Sequence, residues 1–267
     1  MTIDQFMLSA TSRLTAAGID TARLDCLVLM EDALGLNRAA ILAHPEHKIT
    51  NSYLLDLNNK VEQRVGHKPL AYIRQMAPFY GREFKVSRAV LVPRPETEDL
   101  IDLLKNLPLP RKPMLADIGT GSGCIGITAA LEIKNASLYL CDIDQAALQI
   151  AKHNAKQHAV QAELVISDLC AGLKGHFDVV MANLPYVPTE HPLNQAAKHE
   201  PELAIFGGQD GLDIYGRFWE QIKALKPQWV ITESLPFQHK DMAAMARKSG
   251  YALTRTAGLA QQFNLLA

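Results

Sequence analysis

A glycine-rich segment in the middle of the chain has the composition of a ligand-binding loop. Residues 117–123 read Asp-Ile-Gly-Thr-Gly-Ser-Gly and lie between a short apolar run and a helical pattern. Glycine lets the backbone approach a ligand closely and adopt conformations that other residues avoid. Gly121, Gly123 and Gly126 also match the GxGxxG spacing of dinucleotide-binding loops, although that match alone is weak. The segment indicates either a ligand cradle at the carboxyl edge of a sheet or a purely structural tight turn.

Two acids follow the next two predicted strands and extend the same candidate site. Asp142 ends one strand, where its carboxylate can accept hydrogen bonds from ribose hydroxyls, and Asp144 is better suited to cap the helix that follows. Asp168 follows the next strand and is placed for the amino group of adenine, with a turn residue as the structural alternative. Sites at the ends of three successive strands describe a ligand that contains adenosine. NAD and S-adenosylmethionine both satisfy that description.

The segment after the fourth predicted strand chooses between these two ligands. It reads Asn183-Leu184-Pro185-Tyr186. The side-chain oxygen of the asparagine and the carbonyl of Leu184 can accept the two N–H groups of a planar nitrogen, while Tyr186 packs on its face. Pro185 fixes the backbone so that the acceptors diverge. A nicotinamide enzyme has no evident need for this pattern, whereas an amino methyltransferase does; an Asx-Pro turn is the structural alternative.

The chemistry that these residues predict is methyl transfer to nitrogen. An amide nitrogen is a poor nucleophile because its lone pair is delocalised into the carbonyl. Holding both of its hydrogens can orient the nitrogen and raise its electron density, so that proximity to an already activated methyl group supplies most of the acceleration. Asn183, Pro185 and Tyr186 are the predicted catalytic residues, and the pattern predicts no metal.

The elements that must position these residues alternate along the second part of the chain. The predicted strands are 114–118, 137–141, 163–166, 177–181 and 228–232, and the predicted helices are about 123–133, 144–157 and 211–224. Such alternation is typical of a mostly parallel sheet with helices on both faces. A helix near 238–248, a strand near 251–255 and a closing segment from Phe263 to Leu266 predict an antiparallel pair at the end.

Residues 1–75 show helical periodicity without alternating strands, which predicts a small helical domain. Thr2 and Gln5 have capping-box spacing, Asp20 is placed to cap a second helix, and a third helix follows His44-Pro45. The next residues, 76–93, predict a hairpin linker with strands at 79–86 and 89–92, and Pro95 begins a helix. The predicted domains are therefore 1–75, 76–93 and 94–267. The helical domain is either a docking module or a structural cap.

Composition narrows the functional class. The chain has 267 residues, 48% of them hydrophobic and 21% charged, which is typical of a globular protein. No apolar run is long enough for a membrane span, and the first residues lack the pattern of a signal peptide. The four cysteines show no CxxC spacing, which predicts reduced thiols in a cytoplasmic protein. The net charge of −1 argues against an acceptor held through nucleic-acid phosphates.

Together these motifs resemble the HemK-type protein-glutamine N5-methyltransferases that modify peptide chain release factors. The most specific element is Leu-Val-Pro-Arg-Pro-Glu-Thr-Glu at 91–98, ahead of the glycine-rich segment. Further matches, spread over nearly the whole chain, are the segments 69–73, 79–81, 199–201 and 207–212. The resemblance implies an α/β fold: a Rossmann-like seven-stranded methyltransferase domain with a small helical N-terminal domain.

The resemblance also implies roles for individual residues. S-adenosylmethionine is bound by Asp117, Ile118, Gly119, Thr120, Gly121, Asp142, Ile143, Asp168, Leu169 and Asn183. The substrate glutamine, in the Gly-Gly-Gln loop of the release factor, is held by Asn183, Leu184, Pro185 and Tyr186. Residues 1–75 help to engage that protein. The expected partners are release factors, with no membrane and no direct nucleic-acid partner, and the expected state is a monomer.

Two departures from the family pattern affect the interpretation. Leu184 stands where the family usually has proline, and Asn-Leu-Pro-Tyr is familiar from ribosomal RNA adenine N6-methyltransferases. The carbonyl of residue 184 survives the change, and those enzymes lack the Pro-Arg-Pro-Glu-Thr-Glu segment, so glutamine is favoured over adenine. A non-catalytic module that binds translation factors is a further alternative. The second departure, Glu233-Ser234-Leu235 in place of Glu-His-Gly, is assigned no role, and Arg94, Glu96 and Glu98 either shape the site or form structural salt bridges.

Overall fold

The computed structural model describes residues 1–266, which divide into two compact units. One unit comprises Met1–Gln75 together with Asn194–His199, and the other comprises 76–193 and the residues from Glu200 onward. Within the described chain, no helix has both the length and the apolar composition needed to cross a bilayer. All four cysteines are free and buried.

The first unit is built from helices. They are α1 (Ile3–Ala16), α2 (Ala22–Leu34), α3 (Arg38–Ala43), α4 (Asn51–Val65) and α5 (Leu70–Arg74). The predicted capping box at Thr2 and Gln5 is confirmed by hydrogen bonds in both directions. The prediction that Asp20 caps α2 is wrong, because Thr21 occupies the cap position and its side chain makes no cap hydrogen bond. The short helices α3 and α5 were not predicted, since so few residues carry little periodicity.

The core of this unit is apolar, with one buried ion pair. Phe6, Leu14 and Met30 are almost fully buried in it. Arg64 Nε on α4 lies 2.6 Å from Asp25 Oδ2 on α2, with both side chains largely buried. A paired charge of this kind is costly to break, because one partner would be left unpaired away from water.

The second unit begins with a hairpin that differs from the predicted one. Its strands are β1 (Met76–Phe79) and β2 (Arg82–Lys85), paired antiparallel. The predicted strands at 79–86 and 89–92 are therefore wrong: Tyr80 and Gly81 form the turn, both at positive φ, and 89–92 forms no strand. The tight turn uses a conformation that glycine adopts readily, which the strand prediction overlooked. The helix predicted from Pro95 starts as a 3₁₀ turn, Pro95–Glu98, and continues as α6 (Asp99–Lys105).

The remainder of the second unit alternates as predicted. Its strands are β3 (Met114–Ile118), β4 (Ser137–Asp142), β5 (Glu163–Ile166), β6 (Val179–Ala182), β7 (Trp229–Glu233), β8 (Tyr251–Ala257) and β9 (Ala260–Leu265). Its longer helices are α7 (Cys124–Glu132), α8 (Gln145–Gln157), α9 (Asp213–Leu225) and α10 (His239–Lys248). The alternation of short β-rich runs with amphipathic segments explains this agreement.

The strands form one seven-stranded sheet in the order β5-β4-β3-β6-β7-β9-β8. Strands β3 to β7 are parallel, and β9 runs antiparallel to both β7 and β8, which confirms the predicted closing pair. Two apolar clusters contain helical residues of α6, α7 and α8 in one case and of α9 and α10 in the other. Strand β3 is the topological switch point of the sheet: β4 and β5 are added on one side of it, and β6 and β7 on the other. Parallel sheets bind ligands at the carboxyl edge of such a point.

Candidate active site

A cavity opens at the carboxyl edge of the sheet, next to β3, β4 and β6. It has a volume of roughly 1140 Å³, including space open to solvent, and all of its lining residues belong to the second unit. The site residues predicted from the sequence that line it are Gly119, Thr120, Gly121, Asp142, Ile143, Asp168, Leu169, Asn183, Leu184 and Pro185. Asp117, Ile118 and Tyr186 do not line it. Most of the predicted site is therefore brought together on one surface.

The glycine-rich segment forms the floor of this cavity. Gly119 and Gly121 have φ values of +68° and +54°, a region that favours glycine. A Cβ atom on Gly119 would lie 2.9 Å from Leu184 Cδ2, whereas one on Gly121 would meet nothing closer than a Val90 carbon at 3.9 Å. The loop is also tied to the neighbouring strand, since Thr120 N donates to the Cys141 carbonyl at 2.9 Å. The backbone thus presents an open surface to the cavity.

Asp117 supports this loop from behind. Its Oδ2 accepts hydrogen bonds from Thr120 Oγ1 at 2.6 Å and from Gly126 N at 2.9 Å. Burial raises the pKa of Asp117 to about 6, and the two hydrogen bonds oppose that rise. Its Oδ1 is buried without a partner among the described residues. These contacts assign Asp117 to shaping the loop rather than to the cavity wall.

Asp142, at the end of β4, holds two backbone N–H groups and also lines the cavity. Its Oδ2 accepts from Gly121 N at 2.8 Å and its Oδ1 from Asp144 N at 2.9 Å. Burial raises the pKa of Asp142, with the backbone hydrogen bonds acting against it. Each carboxylate oxygen has a further lone pair for a ligand hydroxyl. Asp144 caps α8 as predicted, because its side chain accepts from Ala146 N at 2.8 Å.

Asp168 lies at the same edge and forms an ion pair with Arg217. The two side chains are 47% and 54% exposed, so solvent screens the pair and it contributes little to stability. Ile143 is 55% exposed and lines the cavity, which is unusual for a large apolar side chain. The site thus combines two carboxylates, which can accept hydrogen bonds, with a glycine loop and an apolar wall. This combination fits an adenosine ligand.

The acceptor segment begins directly after β6. Asn183 Nδ2 donates to Thr97 Oγ1 at 3.1 Å. Leu184 is buried, and its N–H donates to Tyr215 Oη at 3.3 Å, a hydrogen bond that proline at this position cannot make. The leucine is therefore held by the core and by a backbone hydrogen bond. These contacts hold the segment at the position where the family usually has proline.

Tyr186 does not line the cavity. Its hydroxyl donates to Glu233 Oε1 at 2.7 Å, and its carbonyl accepts from Gln238 Nε2 at 2.8 Å. Burial and the neighbouring Glu233 carboxylate raise the pKa of Tyr186, so the phenol stays protonated. The predicted contact between its ring and an acceptor group stays a prediction.

Two residues at this site were missed in the sequence. Thr97 is 2% exposed and lines the cavity, within the segment where only its charged neighbours had been singled out. Glu233 is 1% exposed, ends β7 and was assigned no role. Burial raises its pKa, and hydrogen bonding from Tyr186, Thr97 and Asn183 opposes the rise. The strand-end argument that identified Asp142 applies equally to Glu233 and was the signal available.

Arg94 and Glu98 take different positions. Arg94 lines the cavity and lies 2.7 Å from Glu200 Oε1, whose side chain is buried. Burial raises the pKa of Glu200 and Arg94 counteracts it. Glu98 instead accepts from Tyr80 N at 2.7 Å and so supports the hairpin turn. Of Arg94 and Glu98, only Arg94 is placed to contact a ligand in the cavity.

Comparison with known proteins defines the class. Residues 100–203 match the family model "Methyltransferase small domain", and residues 5–74 match "PrmC N-terminal domain". The crystal structure of a methyltransferase from Pyrococcus furiosus superposes with a TM-score of 0.50 at 18% identity, over 77% of this chain and 96% of that one. The fold is that of the methyltransferases, as predicted.

Two curated relatives are more specific. The release factor glutamine methyltransferases of Koribacter versatilis and Coxiella burnetii are 37% and 34% identical to this chain. The alignments cover 87% and 86% of this chain, and 86% and 85% of the relatives. The chain therefore belongs to the release factor glutamine methyltransferase family, which confirms the resemblance found in its motifs.

Proposed function

We propose that the chain methylates the side-chain N5 atom of the glutamine in the Gly-Gly-Gln motif of peptide chain release factors, with S-adenosylmethionine as the methyl donor. The observation that carries this proposal is Asn183, which lines the cavity with its amide nitrogen bound to Thr97. Its Oδ1 is the atom left to accept an N–H from a planar nitrogen group. Family membership supports glutamine as the residue that bears this group, and the adenine alternative is not favoured.

The cavity residues divide the binding of the cofactor among them. S-adenosylmethionine supplies a methyl group on an activated sulfonium. Asp142 would accept hydrogen bonds from its ribose hydroxyls, and Asp168 would accept one from its adenine amino group. Ile143 and Leu169 would provide apolar walls. The loop Gly119–Gly121 would allow close approach of the backbone, with Asp117 and Ile118 supporting it from the strand.

The acceptor side acts by orientation. Asn183 Oδ1 and the carbonyl of Leu184 would each accept one N–H of the glutamine amide, and Pro185 would fix the backbone between them. Such a grip directs the nitrogen lone pair toward the methyl group. Well-oriented reactants can gain several powers of ten in rate. As the new N–C bond forms, the amide nitrogen would lose one of its two protons to water.

The destination of the methyl group tests the proposal. The chain is incubated with methyl-labelled cofactor and, in separate reactions, with purified release factor or with ribosomal RNA. We expect label in the protein, at the glutamine of Gly-Gly-Gln. Label in RNA and none in the release factor would refute the proposal in favour of adenine methylation, and label in neither would favour a binding module.

Removal of the Asn183 side chain tests the hydrogen-bonding account. We expect Asn183→Ala to lower turnover by at least about a hundredfold, because one acceptor of the grip is lost and the amide is misoriented. The matched control is Asn106→Ala, which removes an exposed amide on the far end of α6. Turnover and circular dichroism are measured for both. Near-normal turnover of Asn183→Ala would show that the amide is not part of the grip.

The N-terminal unit, residues 1–75, is proposed to dock the release factor. Leu8 on α1 and Leu55 on α4 are 66% and 67% exposed, so both side chains are accessible to a protein partner. We expect the double variant Leu8→Ser/Leu55→Ser to raise KM for the release factor by about tenfold, a loss of about 1.4 kcal/mol. Methylation of a short Gly-Gly-Gln peptide should not change. Leu253→Ser, at an exposed position on β8, is the control, and an unchanged KM in the double variant would favour a structural cap.

A further inference from the structure

Behind the acceptor segment lies a buried polar cluster formed by Glu233, Thr97, Asn183 and Tyr186. Tyr186 Oη donates to Glu233 Oε1 at 2.7 Å, and Asn183 Nδ2 donates to Thr97 Oγ1 at 3.1 Å. Thr97 and Glu233 are 2% and 1% exposed. Glu233 Oε2 is buried and makes no hydrogen bond of normal geometry with any described residue. A buried carboxylate oxygen in this state calls for a donor, and hydrogen bonding from Thr97 and Asn183 lowers the pKa of Glu233 against the rise that burial causes.

The chemistry of the four groups sets the direction of their hydrogen bonds. A carboxylate oxygen accepts hydrogen bonds, and Tyr186 donates its hydroxyl hydrogen to Glu233 Oε1. Thr97 Oγ1 accepts from Asn183 Nδ2, so its own hydroxyl hydrogen is left to donate, and the unpaired Glu233 Oε2 is the acceptor that needs it. Because Asn183 donates with Nδ2, its Oδ1 is the end of the amide that remains for the cavity. The opposite orientation would present an NH₂ group to the NH₂ group of the substrate.

We propose that Glu233 is a positioning residue of the acceptor site, acting through Thr97 to hold the Asn183 amide with its oxygen toward the cavity and through Tyr186 to fix the end of the segment. This inference rests on the function proposed above and deepens it. Because the Asn183 oxygen then faces the cavity, Glu233 indirectly favours a substrate group that carries N–H donors. It touches neither substrate nor cofactor.

Isosteric variants separate this role from simple packing. Thr97→Val removes the hydroxyl but keeps the shape, Thr97→Ser keeps the hydroxyl, and Glu233→Gln keeps the shape but introduces a donor. We expect Thr97→Val and Glu233→Gln to lower kcat by about tenfold or more, with Thr97→Ser near wild type. The dissociation constant for S-adenosylmethionine, measured by calorimetry, should stay within about twofold, since the cofactor residues are unchanged.

Thr128→Val is the matched control for Thr97→Val. Thr128 is also fully buried, and its hydroxyl has no hydrogen-bond partner among the described residues, so its removal should leave kcat unchanged. A wild-type kcat in folded Thr97→Val or Glu233→Gln would overturn the proposal. So would losses in these variants confined to unfolding free energy, because a purely structural role predicts that result.

A measurement without turnover keeps the proposal independent of the function on which it rests. The side-chain NH₂ signals of Asn183 are followed by nitrogen-15 NMR in the full chain and assigned by their loss in Asn183→Ala. We expect slow hydrogen exchange of these protons in the wild type and Thr97→Ser, and fast exchange in Glu233→Gln. Fast exchange in the wild type would overturn the positioning role, even if Thr97→Val failed to fold. If release factors were not methylated at all, slow exchange would still support the orientation while the proposed function failed.

Discussion

Asp117 and Asp142 lie at the ends of adjacent strands, yet their hydrogen bonds separate their roles. Asp117 is fully buried and uses one oxygen to hold Thr120 in the loop that follows it and Gly126 on α7. Asp142 is only partly buried and lines the cavity. Two residues of one type, near the ends of neighbouring strands, therefore shape the loop in one case and line the cavity in the other.

The raised pKa of Asp117 makes a prediction about stability. Its pKa is about 6 in the folded chain, whereas an unperturbed aspartate has a pKa of 3.8. Between these two pH values the folded state therefore binds more protons than the unfolded state. The stability contributed by this group is therefore greatest below about pH 4 and falls as the pH rises to about 6, by about 3 kcal/mol. Asp117→Asn removes the titration. We expect the wild-type free energy of unfolding, relative to the variant, to decline between pH 4 and pH 7.

Urea unfolding at several pH values checks this expectation. The difference between wild type and Asp117→Asn is the quantity to follow, because it cancels the other titrating groups. An equal difference at every pH would contradict the burial of an unpaired carboxylate oxygen at this position.

At the scale of elements, the loop after β3 and the segment after β6 meet at one close contact. The space for a Cβ on Gly119 is occupied by Leu184 Cδ2, so the loop that faces the cofactor and the segment that faces the acceptor are packed together. Their relative position is therefore set by side-chain size as well as by the sheet. This packing is a physical reason for glycine at 119 beyond its positive φ.

A double-mutant cycle tests that contact. Gly119→Ala should lose more stability than Gly121→Ala, because both enforce an unfavourable positive φ, worth about 1–2 kcal/mol, but only the first also clashes. Leu184→Ala removes the clashing atom, so Gly119→Ala/Leu184→Ala should be less destabilised than the sum of its single changes. Additive free energies of unfolding, measured in denaturant, would mean that the two segments are not coupled.

At the scale of the whole molecule, the cavity lies within one of the two units. Every residue that lines the cavity belongs to the second unit, while the first has its own apolar core. Residues 194–199 belong to the first unit although they lie between β6 and α9 in the chain, and His199 Nε2 lies 3.1 Å from the Gly66 carbonyl there. The chain thus enters the helical unit a second time, shortly after the acceptor segment.

Cofactor binding should be visible in the stability of the second unit. At a concentration of S-adenosylmethionine of about 100 times its Kd, binding stabilises the folded state by about 2.7 kcal/mol. A rise of about 5–10 °C in melting temperature is expected for a domain of this size. Asp142→Asn should reduce the rise, because one carboxylate acceptor becomes an amide. No rise in the wild type would contradict the assignment of the cavity to this cofactor.

Much of the fold was predictable because the order of its strands and helices follows from hydrophobic patterns within short segments of the sequence. The strands at 114–118 and 163–166 were predicted residue for residue, since short, mostly apolar runs alternate with helical patterns. The hairpin was misplaced because Phe79 and Tyr80 are of types that favour strands, whereas the turn signal of Gly81 was overlooked; both Tyr80 and Gly81 have positive φ. The capping prediction for Asp20 failed by one position, within the usual uncertainty of element boundaries.

By itself, the sequence determined the class of site: a glycine floor, acids at the ends of strands and an Asn-Leu-Pro-Tyr acceptor segment, each readable from neighbouring residues. The tertiary structure alone decided what stands behind that site. Thr97 and Glu233 are distant in the chain, and they come together only because the fold brings the 3₁₀ turn Pro95–Glu98 next to the end of β7. Hydrogen bonds between buried side chains depend on distances that no local pattern encodes, so the orientation of Asn183 and the role of Asp117 emerged only from the folded chain.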